Sequence, residues 1–261
     1  FTTTKEKRKP ASSFSGFNVS NTRSVSEKAN ALRDYRLNII NQEQQTRNPD
    51  SAIVLTENSI KGRIGDIADS YHGITTTDLP RFSRCVWENI RWSKDWILQQ
   101  GTVGSSCLFG GKEAVLLWEN GTGGIKQLRD AGATVVITGL DAWGRIGIVV
   151  NRMNLGVTLY LGDSFDTGVA VLVPRDKIHL PALWSFCSCP DFAKAIKTFN
   201  DSMVVEYVYL PKVPFDLDYW TKVAEGKYSH GLPKPYSDDP TQWIFHGYPA
   251  QNSKPLQVAV A

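Results

Sequence analysis

An α+β fold is predicted for this chain of 261 residues: a mixed, curved sheet of short strands with flanking helices, preceded by a helical segment and followed by an extended tail. Three observations carry the expectation. From His72 onward the sequence breaks into short β-prone runs separated by glycine and asparagine. Apolar residues recur at helical spacing before that point and again near residue 180. The end of the chain turns into a proline-, glycine- and aromatic-rich run, a texture that wraps over a surface more often than it forms regular structure. The predicted divisions are 1–71 for a tail and helical connector, 72–212 for the α/β domain, and 213–261 for a helix and extended tail.

Residues 1–20 are polar, basic and rich in Ser and Thr, the composition of a tail or linker. Ser24 to Asn41 reads as a helix, with Ser24 or Ser26 at its N-cap and Ala29, Leu32, Tyr35 or Arg36, and Ile39 or Ile40 recurring at helical spacing. "RNPD" at Arg47–Asp50 is a turn, and Ile60–Tyr71 a short helix around Gly62 and Gly65. Strands are expected at Ser83–Trp87, Ala114–Trp118, Ile146–Asn151, Val157–Leu161 and Val169–Val173. "ENGTGG" (Glu119–Gly124) is a flexible turn, and "YLGDSFDTG" (Tyr160–Gly168) links two strands. His179–Asp201 should be helical in two pieces, the second opened by Pro190 and Asp191. Met203–Phe215 reads as a final strand, and Leu217–Gly226 as a short amphipathic helix.

Composition excludes several function classes. The net charge of +3 is small, and its distribution puts a basic excess only at the front: 11 Lys/Arg against 8 Asp/Glu in residues 1–71, 14 against 13 in 72–212, and 4 against 5 in 213–261. A nucleic-acid site in the middle would therefore be a local patch rather than a uniformly cationic face. The four cysteines include a C-x-C pair, Cys187 and Cys189, and the four histidines (His72, His179, His230, His246) are scattered. Neither arrangement has metal-ligand spacing, and the cysteines read as small buried hydrophobes of a reducing compartment. With no signal peptide and no apolar run near membrane-spanning length, a cytoplasmic location is expected, with no membrane partner.

Catalytic signatures are missing as well. There is no phosphate-binding G-x-x-x-x-G-K-[ST] and no G-x-S-x-G elbow, and the glycine-rich "GTVGSSCLFGG" (Gly101–Gly111) matches no dinucleotide fingerprint. The acids of "SDDP" (Asp238, Asp239) precede Pro240 and read as a turn or cap. Neither catalytic residues nor cofactor or metal ligands can be assembled from this chain.

The stretch "GITTTDLPRFSRCVWE" stands apart, because it sets two arginines and two aromatics beside a hydroxyl-rich turn with no catalytic group nearby. Through Gly73, Thr75, Asp78, Arg81, Phe82, Arg84, Trp87 and Glu88 it resembles the segment that opens the target-recognition region of large adenine-specific DNA methyltransferases, the type IIG-like and phage-defence (BREX- or DISARM-like) restriction–modification enzymes. "GGKEAVLLWENGTG", "AWGRIGIVVNR", "TLYLGDSFDTGVAVLVP", "HLPALWSFCSCPDFAKAI" and the tail "VPFDLDYWTKVAEGKYSHGLPKPYSDDPTQWIFHG" are similar to this family in the same order, and the likeness covers roughly residues 55–247. Thr77 stands where the family's T-G-D element has glycine, so either the turn differs here or it needs a backbone angle threonine dislikes. The family's Asn-Pro-Pro-Tyr/Phe motif and cofactor loop do not occur. What the resemblance implies is a target-recognition domain without catalysis of its own. It would serve a methyltransferase catalytic domain, in cis or in trans, that binds S-adenosylmethionine. Phe1 in first place fits a portion of a longer enzyme, and a separate specificity subunit is the other arrangement.

An enzyme that modifies a base must take it out of the duplex, so neighbouring sequence is read by other groups in the grooves while further cations hold phosphates. Double-stranded DNA is the expected partner. The candidate contacts are Thr75, Thr76, Thr77, Arg81, Arg84, Lys112, Arg145 and Arg152. Trp87 and Trp143 are expected in the core rather than as base wedges. The alternative function is a protein–protein adaptor of a phage-defence complex that docks through its aromatic tail.

Overall fold

The computed structural model describes residues 12–16, 22, 24–34, 37–45, 62–88, 93–200, 202–239 and 241–244. The turn expected at Arg47–Asp50 lies outside them. The chain divides into two compact units, Phe1–Ser59 and Ile60–Ala261.

In the first unit, β1 (Ser13–Gly16) pairs antiparallel with β2 (Asn38–Asn41), Phe14 opposite Ile40. Between them in sequence runs α1 (Val25–Asp34). Ser24 opens it with a reciprocal cap: its hydroxyl accepts from the Glu27 N–H, and its own N–H donates to the Glu27 carboxylate, both at 3.2 Å. The expected helix to Asn41 therefore stops early. Its last residues, with β-branched Ile39 and Ile40, go to a strand that buries Ile40. A four-residue helix, α2 (Gln42–Gln45), follows.

The second unit is α+β, built on two small sheets. The first has the order β3 (Ala68–His72), β10 (Val169–Pro174), β7 (Gly147–Asn151), β8 (Val157–Tyr160), all antiparallel. Its two central strands are buried throughout, and apolar except for Asn151 at the end of β7, because both faces are covered. Ile148, Val150, Ala170 and Leu172 pack towards the helices, with Leu183, Trp184, Phe186 and Phe192. Val149, Val169, Val171 and Val173 pack on the opposite side with Ala142, Tyr160 and Phe165. The helices are α5 (Leu180–Cys187), α6 (Pro190–Phe199) and α7 (Leu217–Lys227). Trp184 donates its indole N–H to the Tyr228 hydroxyl at 2.8 Å, which ties α5 to the end of α7.

The second sheet has the order β4 (Ser83–Cys85), β6 (Ala114–Leu117), β5 (Trp96–Gln100), β9 (Ser164–Phe165), with the last pair parallel. One face carries Ile74, Phe82, Leu116, Ile125 and Val135, and the other Val86, Leu98 and Val115. Short helices α3 (Leu79–Phe82) and α4 (Gly124–Asp130) flank it. Trp143 packs against the clusters of both sheets and stands edge-on to Trp118, centroids 5.1 Å apart.

Ile60–Tyr71, expected as a helix, keeps one helical turn at Ile64–Asp66 and then becomes β3. That strand pairs along its whole length with β10, so the unit begins before His72, and α7 belongs to it as well. Met203–Phe215 is not a strand. A six-residue 3₁₀ helix, Tyr207–Lys212, replaces it, because Pro211 and Pro214 cannot donate to a ladder. No helix among the described residues is long and apolar enough to cross a membrane.

Candidate nucleic-acid interface

The Gly73–Glu88 stretch is the passage from one sheet to the other. After β3 ends, the Ile74 N–H donates to the Phe165 carbonyl at 2.9 Å, and Thr75 exchanges two backbone hydrogen bonds with Val136 at 2.9 and 3.0 Å. Gly73 has no room for a side chain: a Cβ there would stand 2.2 Å from the Asp166 carbonyl oxygen. Asp166 itself is pushed up by burial, against the pull of the Gly168 and Val169 N–H groups.

Beyond Thr76, which is 5% exposed, five consecutive residues protrude, and the chain returns to the interior at Phe82, which is 1% exposed. This tip, Thr77–Arg81, is held at both ends by buried side chains. Thr77 sits at φ 59°, the left-handed region that suits glycine and penalises a β-branched residue. Its hydroxyl donates to the Thr76 carbonyl at 2.7 Å. The Arg81 and Phe82 N–H groups donate to the Asp78 carbonyl at 3.2 and 3.3 Å, forming the single turn of α3.

The eight expected contact residues therefore separate by position. Thr77, Arg81 and Arg84 are exposed, Thr75 is half-buried, and Thr76 is buried. The Arg81 guanidinium lies over the Phe82 ring, 4.9 Å from its centroid, and makes no hydrogen bond or ion pair among the described residues. Arg84 donates through Nη1 to the carbonyls of Pro80 and of Ser83, the latter at 2.7 Å. Arg145 is half-buried and donates to the Tyr71 hydroxyl at 3.1 Å.

Lys112 and Arg152 are placed inside the fold rather than on a face that a duplex could meet. Lys112 is 2% exposed. Its ammonium lies against the Asp163 carboxylate but outside hydrogen-bonding geometry with any acceptor, and burial pulls it down to about 7. Its backbone holds the tail: the Lys112 N–H donates to Gln242 Oε1 at 2.7 Å, and its carbonyl accepts from the Trp243 N–H at 2.9 Å. Arg152 donates to the Val205 carbonyl at 3.1 Å and the Thr167 carbonyl at 2.8 Å, and pairs with Glu206 at 2.5 Å.

Two residues that the sequence reading passed over complete this network. His72 stands 3.4 Å from Arg152 through Nε2 and 3.4 Å from the Thr138 hydroxyl through Nδ1. Thr138 in turn donates to the Gly73 carbonyl at 2.9 Å. A proton on Nδ1 suits both contacts, because the Thr138 hydrogen is already used and Arg152 only donates. His72 opens the stretch singled out in the sequence, but its partners Thr138 and Arg152 lie 66 and 80 positions away, and nothing local announces them.

Further large apolar groups are exposed on the tip and elsewhere in the second unit. Leu79 is 50% exposed and Trp87 44%, the latter against the expectation of a core residue. Val136 and Leu140, also exposed, lie on the segment that pairs with Thr75. The glycines of Gly101–Gly111 serve the fold: the Gln100 side-chain amide donates to the carbonyls of Gly101 and Gly110 at 3.0 and 2.9 Å. Among the described residues, no group of three or more His, Cys, Asp or Glu could hold a metal ion. No protein-family model matches the chain, and no curated protein matches it.

Proposed function

We propose that the chain is a sequence-specific DNA recognition module of an adenine-specific DNA methyltransferase, a restriction–modification or phage-defence enzyme, with a target-recognition-domain-like fold and no catalysis of its own. One observation carries the reading: the protruding Thr77–Arg81 tip, which offers a hydroxyl and a guanidinium without a hydrogen bond or ion pair among the described residues, set between two buried anchors with Arg84 beside it. Hydroxyl and guanidinium groups on a shape-fixed loop are the chemistry that meets base edges and phosphates. Asp78 in the same tip disfavours phosphate but can accept from a cytosine amino group. S-adenosylmethionine would be held by the catalytic domain, in cis or in trans, since this chain supplies none of the cofactor's motifs.

The other reading is an adaptor that docks through its aromatic tail, where Tyr219 of α7 is 57% exposed. Trp243 packs against Val86, Leu98 and Val115 of the chain's own sheet, and Ile244 is 3% exposed. The deciding experiment is fluorescence anisotropy of the chain against random duplexes at two salt concentrations. Binding that weakens steeply with salt supports the reading. Absence of duplex binding at low salt, with and without an added methyltransferase partner, removes it.

A further inference from the structure

Resting on that reading, we infer that Arg84 is a positioning residue for the Thr77–Arg81 tip, so that the two arginines of the segment act unequally: Arg81 supplies the charge and Arg84 the shape. The carbonyls at the end of the α3 turn have no partner within so short a helix. The Ser83 N–H closes back on the Leu79 carbonyl, and the Pro80 carbonyl one position on is taken by Arg84 Nη1. The same nitrogen bonds the Ser83 carbonyl, and its two hydrogens allow both at once. Arg84 can hold this position because its own backbone is fixed in β4, opposite Val115 of β6. Arg81 has only the Phe82 ring beneath it, which orients the guanidinium and leaves its five N–H groups free for a ligand. Arg84 needs the reach and fixed plane of Nη1, and Arg81 a charge; a lysine ammonium keeps the charge but sits one bond nearer the backbone on a flexible stem, so replacement by lysine separates the two roles.

The test compares Arg81→Ala, Arg84→Ala and Arg84→Lys in the full chain, reading duplex affinity against salt and amide exchange in a peptide spanning the tip. For Arg81→Ala the slope of log affinity against log salt should fall by about 0.9, the release of one counterion, with exchange unchanged. For Arg84→Lys the charge is kept, so the slope should hold while affinity drops roughly tenfold. Tip amides should exchange about tenfold faster in both Arg84 variants, at an unchanged melting temperature. An Arg84→Lys chain that binds and exchanges as the parent does, or an Arg84→Ala chain that loses slope without faster exchange, overturns the assignment. If the parent binds no duplex, the recognition reading fails by itself, and the exchange comparison still decides whether Arg84 pins the tip.

Discussion

Arg152 and Glu206 meet at 2.5 Å, and the pair fastens the segment before the 3₁₀ helix to the end of β7. The arginine is 8% exposed and also serves the Val205 and Thr167 carbonyls, whereas the Glu206 side chain is 53% exposed. The two partners should therefore respond differently to substitution. Arg152→Met leaves two carbonyls without their donor and should cost about 3 kcal/mol. Glu206→Gln removes a solvent-screened charge and should cost less than about 1 kcal/mol. Urea unfolding of both variants checks the order, and equal losses would show that the carbonyl contacts do not hold the arginine.

Lys112 predicts a pH dependence of stability. Its folded value, about 7, lies below the ordinary lysine range. Between pH 7 and that range the unfolded chain therefore keeps a proton that the folded chain has released. Stability contributed by this group should rise with pH across the window and be flat below it. Lys112→Met, close in size and uncharged, should abolish the rise and leave the fold intact or more stable. The Asp163 carboxylate favours the charged form, so Asp163→Asn should start the rise at lower pH. Urea midpoints at pH 6, 8 and 9.5 measure all three chains, and an unchanged rise in Lys112→Met would assign it elsewhere.

These two cations mark the limit of what the sequence makes legible. Lys112 and Arg152 have the right chemistry for a phosphate contact, but burial is decided by segments far along the chain: residues 241–244 over Lys112, and 205–206 over Arg152. The α+β class and the strands at residues 147–151, 157–160 and 169–174 were readable because continuous β-branched runs coincide with strands covered on both faces. β5 was not, since its sequence "WILQQ" ends in two glutamines that are nonetheless buried. Nor was β3, "ADSYH", which is polar by composition and owes its place to β10. The opposite error came at residues 203–215, where a β-prone composition outweighed two prolines. At position 77 the sequence left two outcomes open, a different turn or an unfavourable angle, and the threonine takes the angle, φ 59°.

That position gives a third prediction. Thr77→Gly should remove the left-handed penalty and stabilise the chain by up to about 1 kcal/mol, the gain being trimmed by glycine's greater freedom when unfolded. Gly73→Ala acts in the other direction, because its methyl meets the Asp166 carbonyl at 2.2 Å, and should cost about 2–3 kcal/mol. Thermal unfolding of each variant tests the signs, and a stabilised Gly73→Ala would contradict the close approach.

The tail gives a fourth. Gln242 is 6% exposed and joins the Lys112 N–H to the Glu113 carboxylate, while Trp243 covers one face of the second sheet. Trp243→Ala should cost about 2–4 kcal/mol, and Gln242→Ala about 1–2 kcal/mol for the buried N–H left without an acceptor. Limited proteolysis should cut the tail faster in both variants. Tail cleavage at the parent rate in Trp243→Ala would show that other contacts secure it.

The pairing of β3 with β10 also dictates a timetable. Among the described strands, β3 has β10 as its only ladder partner, roughly 100 residues downstream. At ribosomal rates that interval is about 5–20 s of synthesis, during which β3 emerges without its ladder partner. The two ends of the tip are thus secured on different schedules: β4 finds β6 long before β3 finds β10, and a pause or truncation before residue 169 would release a chain whose second sheet is complete while the strand that leads into the tip still hangs unpaired.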